Sequence, residues 1–221
     1  MHVVIAGGHG KIALRLTALL AGRTDRVTSI IRNPAHRADV EQAGAAPVVL
    51  DLETTTVDDL APVLRDADAV VFAAGAGPGS GAARKDTVDR AAAVLLADAA
   101  RAAGVRRYLL ISSTGVDDPP RPGTDEVWAA YLTAKKAAEE AIQESGLDWT
   151  ILRPGQLTDE PGTGRVLLAP PPVESAEVTR DDTAAVLVAL LDAPTTAGRI
   201  LELRAGDTAI SDAVHEYQRS T

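Results

Sequence analysis

The chain has 221 residues, a net charge of −9 and no cysteine. The missing thiols exclude disulfides, thiolate nucleophiles and cysteine metal sites, and the acidic balance argues against nucleic acid, which needs a basic face. With 46% hydrophobic but only 3% aromatic residues, a chain of this length buries a sizeable core made mainly of Ala, Val, Leu and Ile. The four histidines, His2, His9, His36 and His215, are scattered without ligand spacing, so no metal is expected. No apolar run approaches the roughly 18 residues of a membrane span. A chain starting directly in a strand predicts no signal peptide, and a cytoplasmic protein is expected.

The first fourteen residues organise the rest. Val3-Val-Ile-Ala6 reads as a buried strand, broken at Gly7-Gly8, and Gly10 opens an apolar-periodic helix through Ile12, Leu16, Leu19 and Leu20. Strand, glycine turn and helix is the arrangement that binds dinucleotides. Glycine keeps the turn tight and lets backbone N–H groups approach a pyrophosphate, and the positive end of the helix faces that anion. Gly8-x-Gly10-x-x-Ala13 matches the dinucleotide fingerprint with Ala at its third position. An ATPase phosphate loop is excluded, because Ile5 stands where it needs Gly and Ile12 where it needs Ser or Thr.

A second strand, Val27–Ile31, ends in Arg32-Asn33-Pro34. A site that prefers NAD usually places an acid about 20 residues past the glycines, to accept from the ribose 2′-hydroxyl. Here Arg32 stands 22 residues after Gly10. Its guanidinium predicts pairing with the 2′-phosphate of NADP, the alternative being a solvated strand-end charge. Asn33 is placed beside it at the cofactor. A short helix over 34–43 closes at Gly44, and Pro47–Leu50 forms a third strand. Asp51 then either meets the adenine amine, with Leu52 next to it, or caps a helix over 56–65.

A fourth strand, Ala69–Ala73, runs into Ala74-Gly-Ala-Gly-Pro-Gly-Ser-Gly81 before a long helix over 86–103. That loop reads as a linker or as a cofactor approach, and its place at a strand's carboxyl end favours the cofactor. The fifth strand, 105–113, ends in Ser112-Ser113-Thr114, whose hydroxyls either polarise a carbonyl or satisfy loop backbone. The loop 115–124, with Pro119, Pro120 and Pro122, is expected to be exposed. On the helix over 125–145, Tyr131 and Lys135 share one face, one turn apart. A cation beside a phenol favours proton transfer near neutral pH. A sixth strand, 148–154, precedes a strand at 165–169, a helix at 181–191, a strand at 199–204 and a helix at 211–219. The 67 residues after strand six are too few for a large substrate domain. One domain over 1–221 is expected, doubly wound α/β with a parallel sheet, with 155–221 as a small substrate-binding appendage. Loops 75–86, 115–125 and 155–180 should form the substrate pocket. No helix shows an obvious second apolar face, which leaves the oligomeric state open.

Together these segments resemble an atypical short-chain dehydrogenase/reductase of the small NAD(P)H-binding kind. The resemblance runs over nearly the whole chain. It is carried by Gly7-Gly-His-Gly-Lys-Ile-Ala13, Ala73–Ser80, Thr87-Val-Asp-Arg90, Leu110-Ile-Ser-Ser113, Tyr131-x-x-x-Lys135, Trp149-Thr-Ile-Leu-Arg-Pro-Gly155 and Val178-Thr-Arg-Asp-Asp182. It implies a Rossmann sheet and NADP(H). It also implies a pyrophosphate loop of Gly7, His9, Gly10, Lys11 and Ile12, and cofactor contacts from Arg32, Ala73, Ala74, Gly75 and Pro154. Tyr131 matches the acid/base tyrosine, Lys135 its partner and ribose ligand, and Ser113 the carbonyl-polarising serine. Ser112 and Thr114 align nearly as well as Ser113. Asp89 stands where the wider superfamily has Asn. The resemblance implies reduction of a small carbonyl substrate. Two relatives of that frame remain in view, an epimerase or dehydratase and an NADP(H)-sensing regulator with little turnover.

Overall fold

The computed structural model describes residues 1–77, 79–118 and 123–218. Pro78 of the glycine-rich loop and the three prolines at 119, 120 and 122 therefore lie outside the described residues.

Strand β1 (His2–Ala6) is buried along its whole length and alternates between two cores. Val3 and Ile5 face one side of the sheet, with Leu16 and Leu20 of α1 (Lys11–Gly22). Val4 and Ala6 face the other. Burial on both faces disfavours polar positions, which is why the run Val3–Ala6 is unbroken. The crossovers continue through β2 (Arg26–Ile31), α2 (Arg37–Ala43), β3 (Ala46–Val49), α3 (Val57–Leu64) and β4 (Ala69–Phe72). Thr56 caps α3 by accepting from the Asp59 backbone N–H, so capping is not the task of Asp51.

The helix expected over 86–103 has a more complex start. A short α4 (Ala82–Arg84) leads into a π-helical stretch, Lys85–Ala91, and then α5 (Ala92–Ala103). The wider π turn carries both Lys85 and Asp89 inward, where they are buried. Strand β5 is shorter than expected, Arg107–Ile111, so Ser112, Ser113 and Thr114 sit just past its carboxyl end. Helix α6 (Glu126–Gln143) follows, capped by Asp125, and β6 spans Asp148–Pro154.

With β8 (Arg165–Ala169), β10 (Arg199–Ala205) and β11 (Thr208–Ala209), the described residues form a nine-stranded sheet in the order β11-β8-β10-β6-β5-β4-β1-β2-β3. All pairings from β10 to β3 are parallel. Strand order reverses between β1 and β4, so the loops after these two strands flank one crevice.

The C-terminal segment is more integrated than an appendage. Strand β10 (Arg199–Ala205) extends the parallel sheet beside β6. Strands β8 (Arg165–Ala169) and β11 (Thr208–Ala209) close that edge antiparallel. Two strands without a sequence signal, β7 (Gln156–Thr158) and β9 (Glu177–Thr179), pair with each other in a separate two-stranded sheet. They are too short for an alternation pattern to register. Helix α7 (Arg180–Leu191) packs on α1, and α8 (Ile210–His215) packs on α7. No helix among the described residues is long and apolar enough to cross a membrane.

Candidate functional site: two clefts at the carboxyl edge

The crevice at the switch in strand order opens into a cleft of about 610 Å³. Backbone builds its floor. Gly7 has φ +77°, and a Cβ on it would lie 2.5 Å from the Cα of Ala74. Two loops, one after β1 and one after β4, thus meet at backbone distance, which only glycine permits. Gly10 donates to the Gly7 carbonyl at 2.8 Å and opens α1 without a side-chain cap. Gly10 and Lys11 line the cleft, so the uncapped first-turn N–H groups of α1 are available to an anion. Cleft, donors and close glycine approach together fit a dinucleotide.

Most of the residues expected here do converge. Gly7, His9, Gly10, Lys11, Arg32, Asn33, Asp51, Leu52, Ala73, Ala74 and Gly75 line this cleft. Their side chains are less available than their positions imply. Arg32 donates to Glu53 at 3.2 Å. Asn33 accepts from the Ala35 N–H and so caps the following 3-10 turn. Asp51 accepts from the Glu53 N–H. His9 pairs with Asp39 at 2.8 Å and stacks on His36 at 3.6 Å between ring centroids. Lys11 contributes backbone, because its ammonium is drawn to Asp159 beyond β7. Three expected contacts fall elsewhere: Ile12 packs against the core, Pro154 lines the neighbouring cleft, and Lys135, the expected ribose ligand, is buried and lines neither cleft.

That second cleft measures about 1030 Å³ and lies over the ends of β5 and β6. Ser112, Ser113, Thr114, Tyr131, Pro154 and Gln156 are among its walls, with the half-exposed Trp128 stacked on Tyr131 at 5.1 Å. The Tyr131 hydroxyl has no hydrogen-bond partner among the described residues. Two ammonium groups approach the tyrosine ring instead, Lys85 at 5.5 Å and Lys135 at 5.8 Å from its centroid. Lys135 is buried. It donates to the Ile111 carbonyl at 3.0 Å and faces Asp89 at 3.4 Å. Asp89 is fully buried and accepts from the Ala76 N–H at 3.1 Å. Neither Lys135 nor Asp89 lines either of these two clefts. They lie behind Tyr131 and tie α6, the π stretch and the glycine-rich loop together. Lys85, held by the Gly77 carbonyl, belongs to the same group and carried no sequence signal.

The three hydroxyls after β5 are now distinguishable. Ser113 donates to the Thr114 carbonyl, and Thr114 pairs with Ser175. The Ser112 hydroxyl is buried and has no partner among the described residues. Ser113 is thus half-buried in the cleft wall with its hydroxyl engaged by a neighbouring carbonyl, while the Ser112 hydroxyl is unengaged but enclosed.

Beneath this cleft lies a charge network that sequence reasoning missed. Arg153 is 1% exposed and forms a two-bond pair with Glu139, at 2.9 and 2.6 Å. It also reaches Asp117 and Glu202, and Glu202 accepts from the Val173 N–H. Burial alone would lower the Arg153 guanidinium's pKa, but the hydrogen bonds to Glu139 and Asp117 outweigh it and raise it. Arg153 in turn holds the Asp117 carboxyl below the usual range. Each partner comes from a different part of the chain, so no local spacing announced the cluster. An arginine in the apolar run Ile151–Pro154 is the one available hint.

The parallel sheet with its strand-order reversal and the glycine cradle define a Rossmann protein that binds a dinucleotide cofactor. A model of the NAD(P)H-binding family matches residues 7–194, and the chain belongs to that family. It is 34% identical over 215 residues to an uncharacterized sugar epimerase of Bacillus subtilis, covering 97% of this chain and 99% of the relative. Among solved structures it resembles a protein named for NAD-dependent epimerase/dehydratase activity from Bacillus halodurans. That match has TM-score 0.90 and 34% identity, and covers 98% and 99% of the two chains. An oxidoreductase from Lactococcus lactis matches with TM-score 0.86 and 28% identity, over 98% and 96%.

Proposed function

We propose that the protein is an NADPH-dependent reductase of carbonyl compounds. The observation that carries the reading is the Tyr131 hydroxyl, unpartnered in the wall of the larger cleft, with Lys135 and Asp89 fixed behind it. When bound, the cofactor supplies the hydride. The residues of the chain do the remainder. The uncapped start of α1 holds the pyrophosphate, Arg32 favours a 2′-phosphate, and Tyr131 gives its Oη proton to the carbonyl oxygen as charge develops there. Lys135 and Asp89 position Tyr131 and do not touch the substrate themselves. Ser113, half-buried in the cleft wall, supplies a second hydrogen bond to the same oxygen once its hydroxyl turns from the Thr114 carbonyl.

The test is NADPH oxidation by the purified protein across a panel of aldehydes, ketones and quinones. Replacing Tyr131 by Phe should lower kcat about 10²-fold or more while leaving NADPH affinity unchanged. Turnover that survives the substitution intact would remove Tyr131 from the chemistry. The epimerase names among the relatives support a second reading, an NAD(P)-dependent epimerase. The same assay separates the two, because an epimerase converts its sugar with no net NADPH consumption.

A further inference from the structure

Two guanidinium groups converge on one carboxylate in the cofactor cleft. Glu53 accepts from Arg32 at 3.2 Å, from Arg84 at 2.5 and 3.4 Å, and from the Thr87 hydroxyl at 2.7 Å. Arg32 follows β2, Glu53 follows β3, and Arg84 and Thr87 belong to α4 and the π stretch beyond β4. The carboxylate is therefore held from both sides of the crevice, and Arg32, Glu53 and Arg84 all line it. Arg84 and Thr87 keep the Glu53 carboxyl below the ordinary range, so it is ionised at neutral pH.

An ionised carboxylate beside Arg32 conflicts with a 2′-phosphate in two ways. It competes for the guanidinium, and it repels the dianion. The geometry indicates how the conflict is relieved. Arg32 makes one long bond to Glu53, and its side chain is 56% exposed, so it can turn away cheaply. Arg84 and Thr87 make the shorter bonds and retain Glu53 when Arg32 leaves.

We propose that Glu53 sets the discrimination between NADPH and NADH, and that Arg84 with Thr87 are positioning residues that hold its carboxylate away from the 2′-phosphate. This rests on the NADPH reading above. Without Arg84, the remaining cation paired to Glu53 among the described residues is Arg32, and the carboxylate then competes directly with the phosphate. Without the Glu53 charge, Arg84 has nothing to hold, and its loss ceases to matter.

The experiment is calorimetric titration of NADPH and NADH against wild type, Arg32→Ala, Glu53→Gln, Arg84→Ala and the Glu53→Gln/Arg84→Ala double variant. The quantity read is the ratio of the two dissociation constants, and a thermal melt of each variant serves as the folding control. Glu53→Gln should raise the preference for NADPH about three- to tenfold, and Arg84→Ala should lower it about threefold. The double variant should match Glu53→Gln. An Arg84→Ala loss that persists in the Glu53→Gln background would overturn the proposal, because Arg84 would then meet the cofactor itself. An unchanged ratio in Glu53→Gln would overturn it as well. If Arg32→Ala also leaves the wild-type ratio unchanged, the NADPH reading fails and this inference with it. If Arg32→Ala lowers the ratio while Glu53→Gln does nothing, the reading stands and only the inference falls.

Discussion

The two clefts share one edge of the sheet but are built in opposite ways. The cofactor cleft is made of backbone: glycine loops after β1 and β4 touch at Gly7 and Ala74, and the side chains around them are mostly exposed and paired with one another. The larger cleft is made of side chains, standing on a buried arginine that joins Asp117, Glu139 and Glu202. A backbone site tolerates changes in its side chains but no added Cβ. A site built on a buried charge network tolerates neither the loss nor the neutralisation of a single partner.

Arg153→Met strikes the side-chain cleft hardest. It leaves Glu139 and Glu202 buried without their cation, and stability should fall by about 3–5 kcal/mol. Urea unfolding measures this, and a loss below about 1 kcal/mol would mean that apolar packing alone supports that cleft. Gly7→Ala is the matching test of the backbone cleft. It places a Cβ in a left-handed conformation and against Ala74, so the cost should be about 1–3 kcal/mol, with cofactor binding lost. Thermal melts and cofactor titration read the two effects separately. Ser112→Ala should have the smallest effect and the opposite sign. Removing a buried hydroxyl that has no partner among the described residues should leave stability unchanged or raise it by up to about 1 kcal/mol. A clear loss of stability would instead reveal a structural partner for that hydroxyl.

The same contrast governs how much of the molecule could be read from the chain. The order of strands and helices, the cradle at Gly7 and Gly10, and the placing of Tyr131 and Lys135 on one helix face all follow from spacing over a few residues. Periodicity and glycine placement are local, so they survive in a linear reading. Ser113 stands just past the end of β5, its hydroxyl turned to the Thr114 carbonyl, and spacing cannot report a rotamer. Lys11 lines the cleft, yet its ammonium is claimed by Asp159, 148 positions further on.

What the linear order of residues decided, then, was the Rossmann frame and the cofactor cleft, because hydrophobic period and turn chemistry act between near neighbours. The remainder depended on folding in three dimensions. The C-terminal segment became part of the sheet by pairing β10 with β6. Arg153 found three carboxylates 14, 36 and 49 positions away, and Glu53 met its guanidinium partners from 21 and 31 positions away. Charges brought together at such separations leave no periodic trace. Their pairing is selected by the desolvation each would suffer alone, and that cost exists only once the chain has closed around them.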